Sequence, residues 1–524
     1  MKELVFEELS IEQKLGMVSV ATINTRQTPE YEEFVFDQIR NHALGCVWIQ
    51  QGFSGDDMPG LVKKIREIAD YPIIIVQDAE SGVGDFMVGK HSAIGIAGTE
   101  AHAYAFGKCI GVTARNMGYN MLCDPVVDLN KAGRARSLGG DKEKVAELAV
   151  AMARGLHDAG ILTVAKHYPG GSNPANIDSH MAESVSEDTV EDLLNYDLHP
   201  YKRLIEEGLL DGLMTQHKRF LNIDPNYPAT LSKKMIDIIR GLGFDGVVMT
   251  DALCMMGIQA KFGLVESKGL AVNAGVNLML HWSQNNKPHF DAVTESYRNG
   301  DIDMEALDAA VKRVLAAQKK TMAQPKYTEL TAEDIEMFES INKDCIYAKT
   351  DDGVPVSISR DGKHFFAVLV RNGTKLNHGG KMDVDTFSTD WHHPVEIDKR
   401  ISELFPNSKV RMIDQFPGPM NCARVLEDAC KYDDTIFITF SEALAYTGPE
   451  HLTRRIENVI TAMQHSGQVS TILHFGNPFV LENLNHTPRY IIGAQSRKCV
   501  MAALDVLAGL YPAKGTPIFH ANLK

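Results

Sequence analysis

The stretch LSKKMIDIIRGLGFDGVVMTDALCMMG, residues 231–257, contains one full repeat of the pattern that decides the fold. Up to Gly243 its apolar residues recur at intervals of three and four and end on glycine, which predicts a helix that stops there. The continuous apolar run GVVMT then predicts a strand buried on both faces. The run ends at Asp251, and the residues after it are apolar again. The stretch therefore predicts a helix, a turn, a buried strand and one ionisable group at the strand's end.

Apolar runs of the same kind recur at helix-sized intervals up to residue 285. The eight runs are MVSVA (17–21), CVWIQ (46–50), IIIVQ (73–77), YNMLC (119–123), ILTVA (161–165), GLMTQ (212–216), GVVMT (246–250) and NLMLH (277–281). Continuous apolar strands that alternate with helices form parallel sheets covered on both faces, so eight units predict a (β/α)8 barrel. A doubly wound open sheet is the alternative, although no GxGxxG fingerprint follows any run.

A second alternation of strands and helices follows a looser segment. Its apolar runs are FFAVLV (365–370), VRMID (410–414), TIFITF (435–440), STILHF (470–475) and RYIIGA (489–494). Five strands with helices between them predict a smaller open α/β sheet. One hydrophobic core seldom exceeds about 250 to 300 residues. We therefore expect a barrel over residues 1–325, a linker leading into the next domain over 326–360, and a smaller α/β domain over 361–524.

Composition and charge exclude several classes of protein. Apolar residues make up 44% of the chain and charged residues 23%, which is typical of globular proteins. The net charge of −15 and the lack of a long basic block argue against a nucleic-acid partner. No run reaches the roughly 18 apolar residues that cross a bilayer, and the acidic amino terminus does not resemble a signal peptide. The eight cysteines form no CxxC pair. We expect a cytoplasmic protein with free thiols, no metal, no cofactor and no membrane partner.

In a (β/α)8 barrel the functional groups lie at the carboxyl ends of the strands. Five consecutive predicted strands end there in polar or ionisable residues, namely Asp78 and Glu80, Asp124 and Asp128, Lys166 and His167, His217, and Asp251. Any one of these could be an ordinary polar loop residue. Their convergence on one rim of the barrel predicts a functional site.

Asp251 is the candidate nucleophile of this site. A carboxylate among apolar walls suits attack on a cationic, oxocarbenium-like carbon, because low polarity strengthens the attraction between opposite charges. Aspartate is also favoured as a helix N-cap, so a structural role is the alternative. We favour the nucleophile, because Asp251 stands where barrel enzymes place catalytic groups.

The segment KHYPGGSNPANIDSH, residues 166–180, ends on a candidate acid/base pair. Retaining glycoside hydrolysis needs a second group about 5 to 5.5 Å from the nucleophile, which donates a proton and later accepts one. Residues two apart in an extended segment point the same way, so Asp178 can orient and charge the imidazole of His180. Histidine, with an ordinary pKa near about 6.5, can donate and accept protons around neutral pH. A solvated loop histidine beside a capping aspartate is the alternative.

Other groups at this rim are candidates for binding a sugar. Lys166 and His167 could donate hydrogen bonds to hydroxyls, although Lys166 could instead form an ion pair with a carboxylate such as Asp128. Asp78 could accept hydrogen bonds from two adjacent hydroxyls, or it could cap a helix. The remaining candidates are Arg136 in a glycine-flanked loop, His217 as a binding or supporting group, and Met255 and Trp282 as apolar walls.

These motifs resemble those of glycoside hydrolase family 3, and the resemblance covers nearly the whole chain. KHYPG followed by DSH is similar to the signature of the β-N-acetylglucosaminidase branch, and GFDGVVMTDALCMMG is similar to the nucleophile segment. QDAESG resembles the family's D-x-E-G-G motif, and RSLGGD resembles the segment of its substrate-binding arginine. The segments HFGNPFVLENL and LAGLYPAKGTPIF resemble parts of its second, α/β sandwich domain.

The resemblance implies a retaining exo-acting enzyme that removes terminal β-linked N-acetylglucosamine. It places the nucleophile at Asp251, the acid/base at His180 with Asp178, and sugar-binding residues at Asp78, Arg136, Lys166 and His167. Branches that act on glucosides take a carboxylate acid/base from elsewhere, so DSH favours the aminosugar branch. We expect a small aminosugar glycoside as the binding partner of a monomer or homodimer.

Three positions depart from the family pattern. Pro169-Gly170-Gly171-Ser172 stands where the branch has PGHG, Val83 stands where an arginine follows the glycines, and Asn277 stands where the family has aspartate. The first departure lies in the loop that shapes the site around an acetamido group. A β-glucosidase is therefore an alternative.

Three further interpretations of the same residues stay open. In a phosphorylase, phosphate replaces water in the second step, and an imidazole repels that anion less than a carboxylate would. A non-catalytic sugar-binding barrel would keep the fold, although it would have no need of an intact Asp251 and His180. A metal-dependent barrel hydrolase would use His167, His217 and Asp251, but no HxH pair after an early strand supports it.

Overall fold

The computed structural model describes residues 2–24, 27–49, 57–129, 136–173, 177–283, 285–370, 373–376, 382–385, 393–441, 451–518 and 521–524, with backbone only for 373–376 and 382–385. The chain divides into two compact units. The first comprises Met1–Phe86, Ala103–Leu129 and Asp141–Ile335, and the second comprises Met87–His102, Asn130–Gly140 and Glu336–Lys524. Our assignment of all of residues 1–325 to the barrel domain, with a linker to 360, stays a prediction.

The first unit contains the parallel eight-stranded barrel that the sequence predicts. Its strands are β1 (Ser19–Ile23), β2 (Cys46–Ile49), β3 (Ile74–Asp78), β4 (Met121–Cys123), β5 (Leu162–Tyr168), β6 (Gly212–Thr215), β7 (Val247–Thr250) and β8 (Met279–Leu280). They pair in the order β7-β6-β5-β4-β3-β2-β1-β8. Met249 and Leu278 form a parallel bridge between the two ends of this row, and the Thr250 N–H donates to the Leu278 carbonyl at 2.9 Å. The strands therefore form a nearly closed ring, and the open-sheet alternative is wrong.

Each predicted apolar run overlaps one of these strands, although Gln50 of the second run lies outside the described residues. Strand β5 is buried along its whole length, which includes Lys166 and His167. Burial on both faces is the condition under which parallel strands form continuous apolar runs, and it explains why the runs are recognisable.

Helices follow the strands around the barrel. They are Ile11–Met17, Pro29–Arg40, Met58–Ile68, Lys142–Asp158, Val190–Asn195, His199–Glu206, Lys233–Gly241, Met256–Gln259, Leu264–Ala274, Lys287–Arg298 and Met304–Lys320, with 3-10 turns at Phe6–Glu8 and Ala229–Leu231. Ser10, Thr28, Asp141 and Ser232 begin four of them, because each side chain accepts a hydrogen bond from a first-turn backbone N–H. Two further helices each cross a boundary between the segments of the two units, namely Glu100–Asn116 and Ala332–Asp344.

A small three-stranded sheet is formed by one strand that follows β5 and two strands that follow β6 in the chain. It consists of Ser184–Ser186 and Lys218–Phe220, which pair in parallel, and Asp224–Pro228, which pairs antiparallel to Lys218–Phe220. A two-stranded ribbon, Gly82–Val83 with Phe86–Met87, follows β3. The small sheet connects the segment after His180 to the loop after β6, and therefore holds two loops of the same barrel end together.

The second unit contains a six-stranded sheet. Its strands are β9 (Ile346–Thr350), β10 (His364–Val370), β11 (Lys409–Asp414), β12 (Asp434–Phe440), β13 (Val469–Phe475) and β14 (Arg489–Gly493), in the order β9-β14-β13-β12-β10-β11. The five predicted strands are present and pair in parallel, whereas β9 adds an antiparallel edge. Its other elements are helices His91–Ala97, Pro394–Leu404, Pro419–Ala429, Arg454–His465 and Arg497–Leu507, a 3-10 turn at Pro478–Leu481, and the strand pair Gly373–Leu376 and Met382–Asp385. Within the described part of the chain, no helix combines the length and apolar character needed to cross a membrane.

A buried lysine lies in the wall of the barrel unit. Lys268, on helix Leu264–Ala274, has no exposed surface, and its Nζ is 3.5 Å from Nδ1 of His281, just beyond β8. The His281 ring stacks on the ring of His289, with 4.5 Å between centroids. Burial lowers the pKa of Lys268 to about 7, although the electrostatic interaction with Cys254 acts to raise it. The neutral amine is therefore the form that the fold favours above pH 7.

Replacing Lys268 by methionine should reduce the pH dependence of unfolding. Unfolded wild-type chain keeps the Lys268 proton up to about pH 10.5, whereas folded chain releases it above about pH 7, so the free energy of unfolding rises with pH between these values. The K268M variant should lose up to about 1.4 kcal/mol per pH unit of this slope. Denaturant unfolding from pH 7 to 10 measures it, with the exposed Lys63→Met as control. If the free energy of unfolding changed equally with pH in wild type and K268M, Lys268 would keep its proton in the folded protein.

Candidate active site

Asp251 lies at the end of β7, at the carboxyl rim of the barrel. Its backbone N–H donates to the Thr215 carbonyl of β6 at 3.0 Å, and its Oδ1 accepts from the Ala252 N–H at 2.7 Å. The next helix begins at Met256 and has Met255 as its N-cap. The alternative that Asp251 is a helix N-cap is therefore wrong. Its backbone is held by β6, and its half-buried carboxylate is held by the Ala252 N–H.

Three histidines set the charge state of Asp251. Burial alone would raise the pKa of its carboxyl group, but the imidazoles of His167 and His217, the Ala252 N–H and the imidazole of His180 together lower that pKa below its ordinary value. The three rings come from the end of β5, the residues after β6 and the loop after β5. The fold therefore brings these predicted residues together around an ionised carboxylate.

Asp178 and His180 form the predicted pair. Nδ1 of His180 is 2.7 Å from Oδ1 of Asp178, and the His180 backbone N–H donates to the same oxygen at 3.1 Å. The Asp178 side chain is 1% exposed, whereas the His180 side chain is 22% exposed. The carboxylate is therefore behind the imidazole and fixes its orientation, while part of the ring faces solvent.

The Asp178–His180 segment is hydrogen-bonded to the segment that follows Asp251. The Met256 N–H donates to the His180 carbonyl at 3.2 Å, and the Gly257 N–H donates to the Ser179 carbonyl at 3.0 Å. A Cβ at Gly257 would lie 3.0 Å from Cβ of His217 and 3.2 Å from the Ser179 oxygen, so this close approach favours glycine. The two candidate catalytic segments are thus joined directly through their backbones.

Two glycines near the start of the loop have a left-handed backbone conformation. Gly170 and Gly171 have φ of 82° and 85°, a region that residues with a Cβ rarely adopt. Gln216 Nε2 donates to the Gly170 carbonyl at 2.5 Å, and Lys218 Nζ donates to the Gly171 carbonyl at 2.8 Å. The Gly171 N–H donates to Asp197 Oδ1 at 2.9 Å. The loop is therefore fixed from the side of β6.

The middle of the loop is anchored as well. Both the N–H and the hydroxyl of Ser172 donate to the Asp188 carboxylate, at 2.5 and 2.9 Å. Asn173 Nδ2 donates to the Ile177 carbonyl at 2.9 Å, and the Ile177 N–H donates back to Asn173 Oδ1 at 3.2 Å. Residues 174–176 of this predicted loop lie outside the described residues. The reciprocal Asn173–Ile177 bonds bring the chain back towards Asp178.

Lys166 is an ion-paired residue at the end of β5. Its side chain is 1% exposed, and Nζ contacts the Asp78 carboxylate and Glu80 Oε1, the latter at 2.7 Å. The Asp78 side chain is 39% exposed, so its carboxylate also faces solvent. Ion pairing, the structural alternative for Lys166, is therefore present, with partners from the end of β3.

His167 is held by Asp128. Its Nδ1 lies 2.7 Å from Asp128 Oδ2, and its backbone N–H donates to Oδ1 of the same carboxylate at 3.0 Å. The sequence marks Glu80 and Asp128 only as polar residues at strand ends, and no local pattern indicates which cation each one contacts.

His217 lies beneath the rim with no exposed surface. Its Nε2 donates to the Ala252 carbonyl at 3.0 Å, and its Nδ1 lies 2.8 Å from the Thr230 hydroxyl. Burial lowers its pKa, partly offset by the nearby Asp251 carboxylate. Both ring nitrogens are thus bonded to protein groups, and the ring supports the residue next to Asp251. Thr230, in the short turn Ala229–Leu231, has no recognisable signal in the sequence.

The remaining predicted residues lie in different surroundings. Met255 is buried, and Trp282 packs edge-on against Trp48 with ring centroids 5.7 Å apart. Arg136 is half-buried in the Asn130–Gly140 segment of the second unit, and residues 133–135 of its motif lie outside the described residues. Sugar binding by Arg136 stays a prediction. Across the described residues, no group of three His, Cys, Asp or Glu side chains is arranged to hold a metal ion.

A (β/α)8 barrel with a carboxylate and an Asp-His pair at its carboxyl rim has its ionisable groups where barrel enzymes place their active sites. Residues 10–317 match the family described as "Glycosyl hydrolase family 3 N terminal domain". This match covers more than half of the chain, and the protein belongs to that family.

Two of the relatives are named beta-hexosaminidase. The chain is 34% identical over 217 residues to beta-hexosaminidase LpqI of Mycobacterium tuberculosis, an alignment that covers 39% of this chain and 55% of the relative. It is 30% identical over 257 residues to the beta-hexosaminidase of Tolumonas auensis, which covers 46% of this chain and 75% of the relative. The chain thus spans about half the length of the mycobacterial relative.

Solved structures share the complete two-domain fold. A glycoside hydrolase family 3 beta-N-acetylglucosaminidase from Paenibacillus sp. str. FPU-7 superposes with a TM-score of 0.80 at 24% identity, over 98% of this chain and 99% of that one. At this identity the similarity establishes the fold: a (β/α)8 barrel followed by a smaller α/β domain.

Gly171→Ala should destabilise the barrel unit by about 2–4 kcal/mol, because it combines a left-handed backbone with overpacking. The added Cβ would lie 2.7 Å from the Phe220 ring. Gly208→Ala is a matched control, since Gly208 has φ of 68° and a methyl group added there would have no atom within 4 Å. The control should cost only about 1 kcal/mol. Denaturant unfolding measures both variants, and equal losses would show that Phe220 moves aside at no cost.

Proposed function

We propose that this chain is a retaining exo-β-glycosidase that removes terminal β-linked N-acetylglucosamine. One observation carries the proposal: three imidazoles lower the pKa of Asp251, while the Asp178-paired His180 is hydrogen-bonded to the segment that follows Asp251. An ionised carboxylate and an adjacent proton donor are the two groups that this reaction requires. The curated relatives named beta-hexosaminidase support the choice of sugar.

In the first step, a carboxylate oxygen of Asp251 attacks the anomeric carbon. The bond between that carbon and the glycosidic oxygen breaks, and the oxygen takes a proton from Nε2 of His180. Nδ1 is the nitrogen held by Asp178, so proton exchange takes place at Nε2. The products are a covalent glycosyl ester on Asp251 and the free alcohol.

In the second step, the same imidazole acts in the opposite direction. Neutral His180 accepts a proton from water as the water oxygen attacks the anomeric carbon, and the ester bond to Asp251 breaks. Two displacements at one carbon retain the β configuration. His217 holds the Ala252 carbonyl through both steps and thereby keeps the backbone beside Asp251 in place.

Asp78 is the group that we assign to the sugar hydroxyls. The Lys166 ammonium contacts both the Asp78 and the Glu80 carboxylates, and its positive charge reduces the repulsion between them. The partly exposed Asp78 carboxylate then presents acceptor atoms to two neighbouring hydroxyls. Lys166 and His167 hold this part of the site through their carboxylate partners.

A phosphorylase is the second candidate, and the acid/base residue favours it. An incoming phosphate dianion meets an imidazole at His180 instead of a second exposed carboxylate, and two more imidazoles surround Asp251. Phosphate would then attack the glycosyl ester in the place of water and release a sugar 1-phosphate.

Asp251→Asn should lower kcat/KM by at least about a thousandfold, because an amide cannot form the glycosyl ester. A mechanism-based fluorosugar should label the wild type at Asp251, as detected by peptide mass spectrometry, and should not label the variant. Asp237→Asn removes an exposed carboxylate paired with Lys233 and serves as the control with wild-type activity. Labelling at another residue would overturn the assignment of the nucleophile.

Aryl β-N-acetylglucosaminide should be cleaved with a kcat/KM at least about tenfold higher than aryl β-glucoside, because the acetamido group adds contacts in the site. Both substrates are assayed with and without inorganic phosphate, and the sugar product is identified. We expect free N-acetylglucosamine under both conditions. A preference for the glucoside would make the protein a β-glucosidase, and a sugar 1-phosphate formed only with phosphate would make it a phosphorylase.

A further inference from the structure

Two solvent-exposed methionines flank the hydrogen bond that joins the candidate catalytic segments. Met181 is 53% exposed and Met256 is 44% exposed. The Met256 N–H donates at 3.2 Å to the carbonyl of His180, which belongs to the peptide unit that continues into Met181. The two methionines are therefore neighbours in space as well as neighbours of His180. We call them the methionine pair.

The surroundings of the methionine pair have little unbalanced charge. Ala182 follows Met181, and the Glu183 carboxylate after it is held by Arg219 through two hydrogen bonds of 2.7 and 2.8 Å. Met255, which precedes Met256, is buried. The exposed side chains beside His180 in the two hydrogen-bonded segments thus include two thioethers, which suit contact with apolar groups.

The chemistry of the proposed reaction determines what such a surface meets. An acid that protonates the glycosidic oxygen lies within hydrogen-bond reach of it, and that oxygen carries the aglycone. The aglycone therefore leaves past His180, on the side away from Asp251. Exposed residues on either side of His180 are the ones that an aglycone contacts first.

We propose that Met181 and Met256 form the aglycone-binding surface of this enzyme and that it accepts aglycones with an apolar face, such as aryl and alkyl groups. The inference rests on the proposed function and adds a substrate class to it. Methionine is unbranched and has several rotatable bonds, so the pair adapts to aglycones of different shape. The sugar is recognised at Asp78 and the aglycone at the methionine pair.

The test compares two substrates of one sugar, its 4-nitrophenyl β-glycoside and its β-glycosyl fluoride, which has no aglycone to bind. The Met181→Ala/Met256→Ala double variant should lose about tenfold in kcat/KM on the aryl glycoside, from lost apolar contact. Its kcat/KM on the fluoride should stay within about twofold of wild type, since the sugar contacts are intact. Thermal unfolding of both proteins verifies that the variant is folded.

Two further variants sharpen the comparison. Met181→Leu/Met256→Leu keeps the apolar surface and should restore most of the aryl-glycoside activity. Met304→Ala removes a methionine of similar exposure, 40%, from the start of helix Met304–Lys320 and should change neither substrate's turnover. Equal effects of the alanine pair on both substrates, or no effect on either, would overturn the inference. A wild type that cleaves neither substrate would overturn the proposed function, and the inference with it.

Discussion

The arrangement of the site depends on two backbone hydrogen bonds, from Met256 to the His180 carbonyl and from Gly257 to the Ser179 carbonyl. They connect the segment after Asp251 with a loop that leaves the barrel two strands earlier. Without them the His180 imidazole would lose its direct backbone connection to the segment after Asp251. In an enzyme site, misplacement by about 1 Å can cost about a hundredfold in rate. Glycine at position 257 favours this contact, because a Cβ there would crowd His217 and Ser179.

Charge compensation is the second constraint, because buried charges are costly unless they are paired and hydrogen-bonded. Lys166 pairs with the Asp78 and Glu80 carboxylates. His167 pairs with Asp128, and His180 pairs with Asp178. Each pair joins residues from different strand ends or from the same loop. The paired groups leave Asp251 at the carboxyl rim of the barrel among imidazoles, which lower the pKa of its carboxyl group.

Much of the fold could be predicted from local patterns. Eight continuous apolar runs identified the barrel strands, and the abrupt end of GVVMT at Asp251 identified the rim residue that the structure surrounds with histidines. Strand β9, IYAKT, lies where the sequence predicts a linker, because an antiparallel edge strand is buried on fewer sides and has no continuous apolar run. Lys268 could not be recognised as a buried group, since nothing in its helix distinguishes it from a surface lysine.

The sequence by itself determined the barrel, the strand-end position of Asp251 and the two-residue spacing of Asp178 and His180, because burial period and local spacing are properties of a few consecutive residues. Only the tertiary structure decided that Lys166 pairs with Asp78, 88 positions away, and that His217 holds Ala252, 35 positions away. It also decided that the loop ending at His180 is hydrogen-bonded to the segment after Asp251. Such partners are set by the pairing of strands around the ring and the path of each loop, which bring distant residues within about 3 Å and have no counterpart in the local order of residues.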